Sequence, residues 1–176
     1  QLDIGIISNS AERLAELQDR PLLQDPFVLA VPLNHEQSPI DLINSNTNLP
    51  FLRFPKNMII GKQIDTQLRR FGLNLQSKFE CGNSQTLLAM VADGAGWTIT
   101  TPLILSRAKR FQSKLKVHPF PLKTFSRDLA VVASPDCSRL ILDLVDKKMR
   151  KLITKHVIEL TLKNNSWMTN SFKLIQ

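Results

Sequence analysis

The polar groups best placed to do chemistry lie between residues 79 and 102, where Asn83, Ser84, Gln85 and Thr86 mark the passage from a strand into a helix. Asn and Ser are residue types that cap helix N-termini. The first N–H groups of a helix have no partner within it, and the helix dipole is positive at that end. Such an end suits a small anion or polar ligand. Thr100 and Thr101 close the strand expected after the helix, before Pro102. This is equipment for holding a ligand. Equipment for breaking bonds is missing: Ser84 has no nucleophile-elbow pattern around it. Gly94-Ala95-Gly96 follows a helix instead of opening one, so it is no dinucleotide fingerprint. Glu80 and Asp93 do not form a working carboxylate pair. His35, His118 and His156 are isolated, and no metal or other cofactor is expected. Cys81 and Cys137 share no ligand spacing and read as free thiols in a reducing compartment.

The elements that must position these groups follow from periodicity and from Gly and Pro. Leu87, Leu88 and Val91 fall at helical spacing, and Gly94 and Gly96 end that helix. A strand over 77–80 precedes it and a strand over 97–101 follows, a unit that reads as a crossover between parallel strands. Upstream, a strand over 51–54 leads to a helix over 62–71 with Ile64, Leu68 and Phe71 on one face, closed by Gly72. Downstream, Pro102 opens a helix to about 108, and a strand spans 115–120. Together these imply an α/β lobe with a mainly parallel sheet. Residues 2–7 read as a strand followed by the polar turn Ser8-Asn9-Ser10 and one or two helical turns over 11–17. Leu22-Leu23 and residues 27–31 read as short strands around a turn at Gln24-Asp25-Pro26, and 34–49 as a connection with a short helix near 40–43. Residues 127–133 form an apolar strand. A long helix begins near Ser138, with Leu140, Ile141, Leu144, Val145, Met149, Leu152, Ile153 and Val157 as its apolar stripe. Residues 164–176 read as poorly ordered.

Composition is that of a globular protein: of 176 residues 43% are hydrophobic and 22% charged, and no apolar run is long enough for a membrane span. The net charge of +8 favours acidic partners. Arg107, Lys109, Arg110, Lys114, Lys116, Lys123 and Arg127 follow one another without an acidic residue. A solvated face is the commoner meaning of such a run, and a face for DNA phosphates or an acidic subunit the sharper one. The chain opens on Gln1 inside a strand pattern, which reads as a fragment lacking its N-terminal part, and it opens without a signal peptide.

The chain resembles the effector-binding domain of LysR-type bacterial transcriptional regulators. The resemblance is carried by residues 2–6, by Pro21 through His35, by Leu49-Pro50-Phe51-Leu52, and by residues 91–102, a helix-glycine-strand-proline signature. Glu36 stands where the family usually has proline, and Trp97 with its threonines replaces an aliphatic run. The resemblance implies an α/β, two-lobed, periplasmic-binding-protein-like type 2 fold. One lobe would be residues 1–33 with 125–176, incomplete; the other 48–123; hinge crossovers would lie at 34–47 and 121–126. A small, anionic metabolite would bind between lobes, touching Ser8, Asn9, Phe54, Lys56, Asn83, Ser84, Gln85, Thr86, Thr100 and Thr101. A winged helix-turn-helix preceding Gln1 would contact DNA. Cytoplasmic location, no membrane partner and a homodimer or homotetramer are further implications. An extracytoplasmic solute-binding protein of the same fold class is the alternative, and an enzyme on that fold the least favoured reading.

Overall fold

A computed structural model describes residues 3–8 and 16–176. The chain divides into two compact units, Gln1–Pro26 with Ser126–Gln176, and Phe27–Phe125.

The first unit is built on β8 (Ser126–Ala133), whose residues 129–133 are all buried. β1 (Ile4–Ser8) pairs antiparallel along one edge of β8 and β2 (Gln18–Pro26) along the other. Successive side chains point to opposite faces, so burial of all five residues means that both faces of the strand are covered, which suits the unbroken apolar run Leu129-Ala130-Val131-Val132-Ala133. Pro21 lies inside β2 and has no N–H to give, and the register shifts between Pro21 and Leu23. Gln24-Asp25-Pro26 is not the turn read from its composition. It continues β2, because Asp25 stands opposite Arg127 of β8 and is 0% exposed. Arg127 donates to Asp25 Oδ2 from Nε at 3.0 Å and from Nη2 at 2.8 Å.

The long helix runs as α5 (Arg139–Ile153), a π-helical turn over Thr154–Ile158, and α6 (Glu159–Asn164). Its core face keeps Ile153 of the expected stripe but turns much of the rest of that stripe outward. Leu142, Ile153 and Ile158 are buried, while Leu140, Ile141, Leu144 and Leu152 are exposed, Leu140 at 70%. The rotation is set by polar chemistry. Arg150 donates from Nε to Asp146 Oδ2 at 2.7 Å and from Nη1 to the Ile175 carbonyl at 2.7 Å, and from Nη2 to the Pro21 carbonyl. Turning Arg150 toward β2 and the C-terminus turns the leucines outward. The C-terminal segment is likewise ordered, against expectation. A 3-10 turn (Ser166–Met168) and β9 (Lys173–Leu174) dock it, with Met168 and Phe172 both 0% exposed and β9 paired to Leu23 and Gln24.

In the second unit β3 (Val28–Pro32) is the centre of a sheet, flanked antiparallel by β6 (Thr98–Thr100) and β7 (Leu115–Pro119). β3 therefore belongs here, and the chain passes between units at Pro26–Phe27 and Phe125–Ser126, not at residues 34–47. β4 (Phe51–Arg53) and β5 (Ser77–Glu80) form a parallel pair. A parallel bridge joins Phe51 to Trp97, so β4 lies between β5 and the chain entering β6. The parallel portion is smaller than the alternation of strands and helices implied. The helices are α1 (Pro39–Ile43), α2 (Ile59–Arg70), α3 (Ser84–Ala92) and α4 (Pro102–Arg107), and a 3-10 segment covers Lys109–Lys114. Phe27 stacks on Phe125 with centroids 4.7 Å apart, and Phe120 meets Phe125 edge-on at 5.0 Å. Such pairs contribute about 0.5–1.5 kcal/mol each beyond area burial.

His35 and His118 lie near each other at the β3–β7 side of this unit, each with Nε2 buried and without a hydrogen-bond partner. Burial, then Lys116, then His35 hold the His118 pKa below its ordinary 6.5. The unfolded chain therefore binds the proton more readily than the folded one as pH falls through 6.5. Stability should be retained above that pH and lost progressively below it. Denaturant unfolding between pH 8 and pH 5 measures this, and His118→Gln should flatten the decline. An unchanged profile in that variant would assign the pH dependence elsewhere. Among the described residues no helix is long and apolar enough to cross a membrane.

Candidate binding site

The parallel β4–β5 pair sets Arg53 opposite Glu80, so the two chains leave the sheet side by side. The Cys81 N–H donates to the Arg53 carbonyl at 3.0 Å, extending the pairing one residue further. α2 starts after the first strand and α3 after the second, which directs both helix N-termini to one edge of the sheet. Their entry loops touch: a Cβ on Gly82 would lie 3.5 Å from Met58 Sδ and 4.0 Å from Pro55 Cγ. The α2 loop is also held from behind. A Cβ on Gly61 would come within 2.0 Å of the Pro55 carbonyl oxygen, so only glycine allows the helix to lie against that loop.

The two helix ends differ in what they offer. Asn83 caps α3, its Oδ1 accepting from the Gln85 and Thr86 N–H groups, each at 3.0 Å. No side chain caps α2. Lys56 stands exposed in the α2 loop, whereas Phe54 is buried and serves the core. The neighbouring Arg53, which spacing alone did not single out, is buried. It donates to the Phe54 carbonyl at 3.2 Å and lies 3.3 Å from Asp65 and 3.6 Å from Glu80. It thus fixes the direction in which β4 hands over to the Phe54–Met58 loop.

β6 reaches the same edge. The Trp97 N–H donates to the Pro50 carbonyl at 2.9 Å and the Leu52 N–H to the Trp97 carbonyl at 2.8 Å, so β4 and the 97–101 segment run in the same direction. Gly96 does not end the helix; a Cβ there would lie 2.4 Å from the Pro50 carbonyl oxygen, and the residue is needed for this close approach. Gly94, at φ +84°, makes the turn instead. Thr98, Thr100 and Thr101 are fully buried, and Thr100 Oγ1 has no hydrogen-bond partner. An unsatisfied buried hydroxyl costs on the order of 1–3 kcal/mol.

Lys56, Asn83, Ser84, Gln85, Thr86, Thr100 and Thr101 are thus gathered at one end of the second unit. Ser8 ends β1 in the first unit, opposite Leu129, and Asn9 lies outside the described residues. Arg110 joins the set from the 3-10 segment, donating from Nη2 to Gln85 Oε1 at 3.4 Å. Its place in the basic run was the available signal, but its position beside α3 was not. Among the described residues no cluster of three or more His, Cys, Asp or Glu is placed to hold a metal ion.

A model of the LysR substrate binding domain matches residues 1–146. The chain belongs to the LysR substrate binding domain family. With that family comes the periplasmic-binding-protein-like type 2 fold, and similar solved structures agree. The reduced OxyR2 regulatory domain from Vibrio vulnificus is 19% identical, with 86% of this chain and 72% of that one covered, at TM-score 0.65. A hydrogen peroxide-bound OxyR from Corynebacterium glutamicum is 15% identical, over 93% of this chain and 52% of that one, at TM-score 0.70. The full-length HypT from Salmonella typhimurium, a hypochlorite-specific LysR-type transcriptional regulator, is 16% identical over 86% and 52%, at TM-score 0.66. At these identities the likeness is one of fold. The LysR domain chain described here spans about half the length of the last two proteins. A comparison with curated protein sequences gave no match.

Proposed function

We propose that this LysR substrate binding domain is the effector-sensing module of a DNA-binding transcription regulator, and that its effector is a small anionic metabolite bound between its two units. The observation carrying the anionic part is the convergence of the α2 and α3 N-termini at one sheet edge beside Lys56. Two positive dipole ends and an ammonium favour a carboxylate or phosphate. The amide of Gln85 supplies orientation. Ser8 and Asn9 are the proposed contribution of the first unit. The ligand would regulate by preferring one arrangement of the units over another, since a ligand that binds all arrangements equally shifts none. DNA contact through a winged helix-turn-helix preceding Gln1, homodimer or homotetramer assembly and a cytoplasmic setting are parts of the same proposal.

Thermal-shift titration with a panel of carboxylates and phosphate esters tests it. An anionic compound should raise the melting temperature, and Lys56→Gln should weaken that compound about tenfold while leaving the unliganded melting temperature in place. Stabilisation by uncharged compounds alone, or an affinity that ignores Lys56→Gln, would overturn the anionic assignment.

A further inference from the structure

The charge excess is divided unevenly. Residues 27–125 hold twelve Lys and Arg against five Asp and Glu; the remaining residues hold eleven against ten. Within the basic unit several carboxylates are engaged. Asp65 and Glu80 lie against Arg53, Asp65 also against Arg69, and Asp41 accepts from the Ser38 hydroxyl. No acidic residue occurs between Asp93 and Asp128. Arg107, Lys109, Lys114 and Lys116 are exposed and have no ion-pair partner among the described residues. Arg110 is exposed too, and it is held by neutral groups, its guanidinium 4.6 Å from the Phe111 ring centroid and bonded to Gln85.

We propose that the exposed basic surface over residues 107–116, carried by Arg107, Lys109, Arg110, Lys114 and Lys116, binds the phosphate backbone of duplex DNA without reading its sequence. The composition of this surface favours a nucleic acid over an acidic protein. Every exposed residue from 107 to 116 is polar, the others being Gln112 and Ser113. Protein interfaces are built round an apolar or aromatic core, which this stretch does not expose. Phosphate contacts need only Arg, Lys and neutral donors such as these. Nothing on this face offers a helix or ribbon shaped to enter a groove, so the contact carries affinity and no base readout. In the intact regulator it would hold the sensing module against DNA flanking the site chosen elsewhere. The inference rests on the module belonging to a DNA-bound regulator. Its test does not involve the effector, so its failure would leave the effector titration standing.

The test is fluorescence anisotropy of the 176-residue chain with duplexes of two unrelated sequences, at about 50 and 200 mM salt. Both duplexes should bind equally, and binding should weaken steeply with salt. The variant R107Q/K109Q/R110Q/K114Q should lose about tenfold or more at the lower salt. Its log K against log salt slope should fall by about three to four, at about 0.9 per lost phosphate contact. A control removing four exposed charges from the first unit, K147Q/K148Q/K151Q/K155Q, should retain binding. Circular dichroism melting of each variant confirms folding. No binding at low salt, equal loss in both variants, or tighter binding of polyglutamate than of DNA would each overturn the proposal.

Discussion

Replacing Arg127 by Met is expected to cost the chain about 3–5 kcal/mol at neutral pH. The reason is the partner left behind. Asp25 is 0% exposed and accepts two charge-assisted bonds from Arg127, at 2.8 and 3.0 Å. Without the guanidinium the carboxylate stays buried in β2 and loses both of these bonds, and its desolvation then outweighs what the pair contributed net. A double variant with Asp25→Leu and Arg127→Met should sit closer to the parent than either single change. Urea unfolding at pH 7 measures both the single and the double variants. A loss below about 1 kcal/mol for Arg127→Met would mean that the pair is no structural element.

Phe172→Ala should destabilise the first unit by a similar amount, about 3–5 kcal/mol, as expected of a large aromatic removed from a packed interior. Phe172 and Met168 are both fully buried, and they anchor the segment whose β9 pairs with Leu23 and Gln24. The Ile175 N–H donates to the Leu22 carbonyl at 3.1 Å, and the Ile175 carbonyl accepts from Arg150. These bonds hold together or fail together. Limited proteolysis should accordingly cut the variant near 165–172 while the parent resists. An intact segment and an unchanged unfolding midpoint would show that the docking adds nothing to stability.

Local chemistry in the sequence determined most of the elements. Asn83 as the cap of α3, Gly72 and Gly94 as helix terminators at positive φ, Pro102 opening α4, and the apolar run of β8 all act within a few residues of where they stand. The end of the second unit that gathers Lys56, Asn83 and Thr100 was legible for the same reason, because strand-helix alternation sends helix N-termini to one edge. The tertiary structure decided matters that depend on distant partners. Asp25 reads as a turn residue until Arg127, 102 positions away, takes it into a strand. β3 falls in the second unit because its partners are β6 and β7. The buried face of α5 follows Arg150 reaching two carbonyls from other elements, which leaves a leucine stripe outward that periodicity alone would bury. Periodicity and propensity report what a residue prefers beside its neighbours in the chain. Which edge, which face and which terminus is buried is settled by hydrogen bonds and ion pairs that exist only after residues far apart in sequence have met.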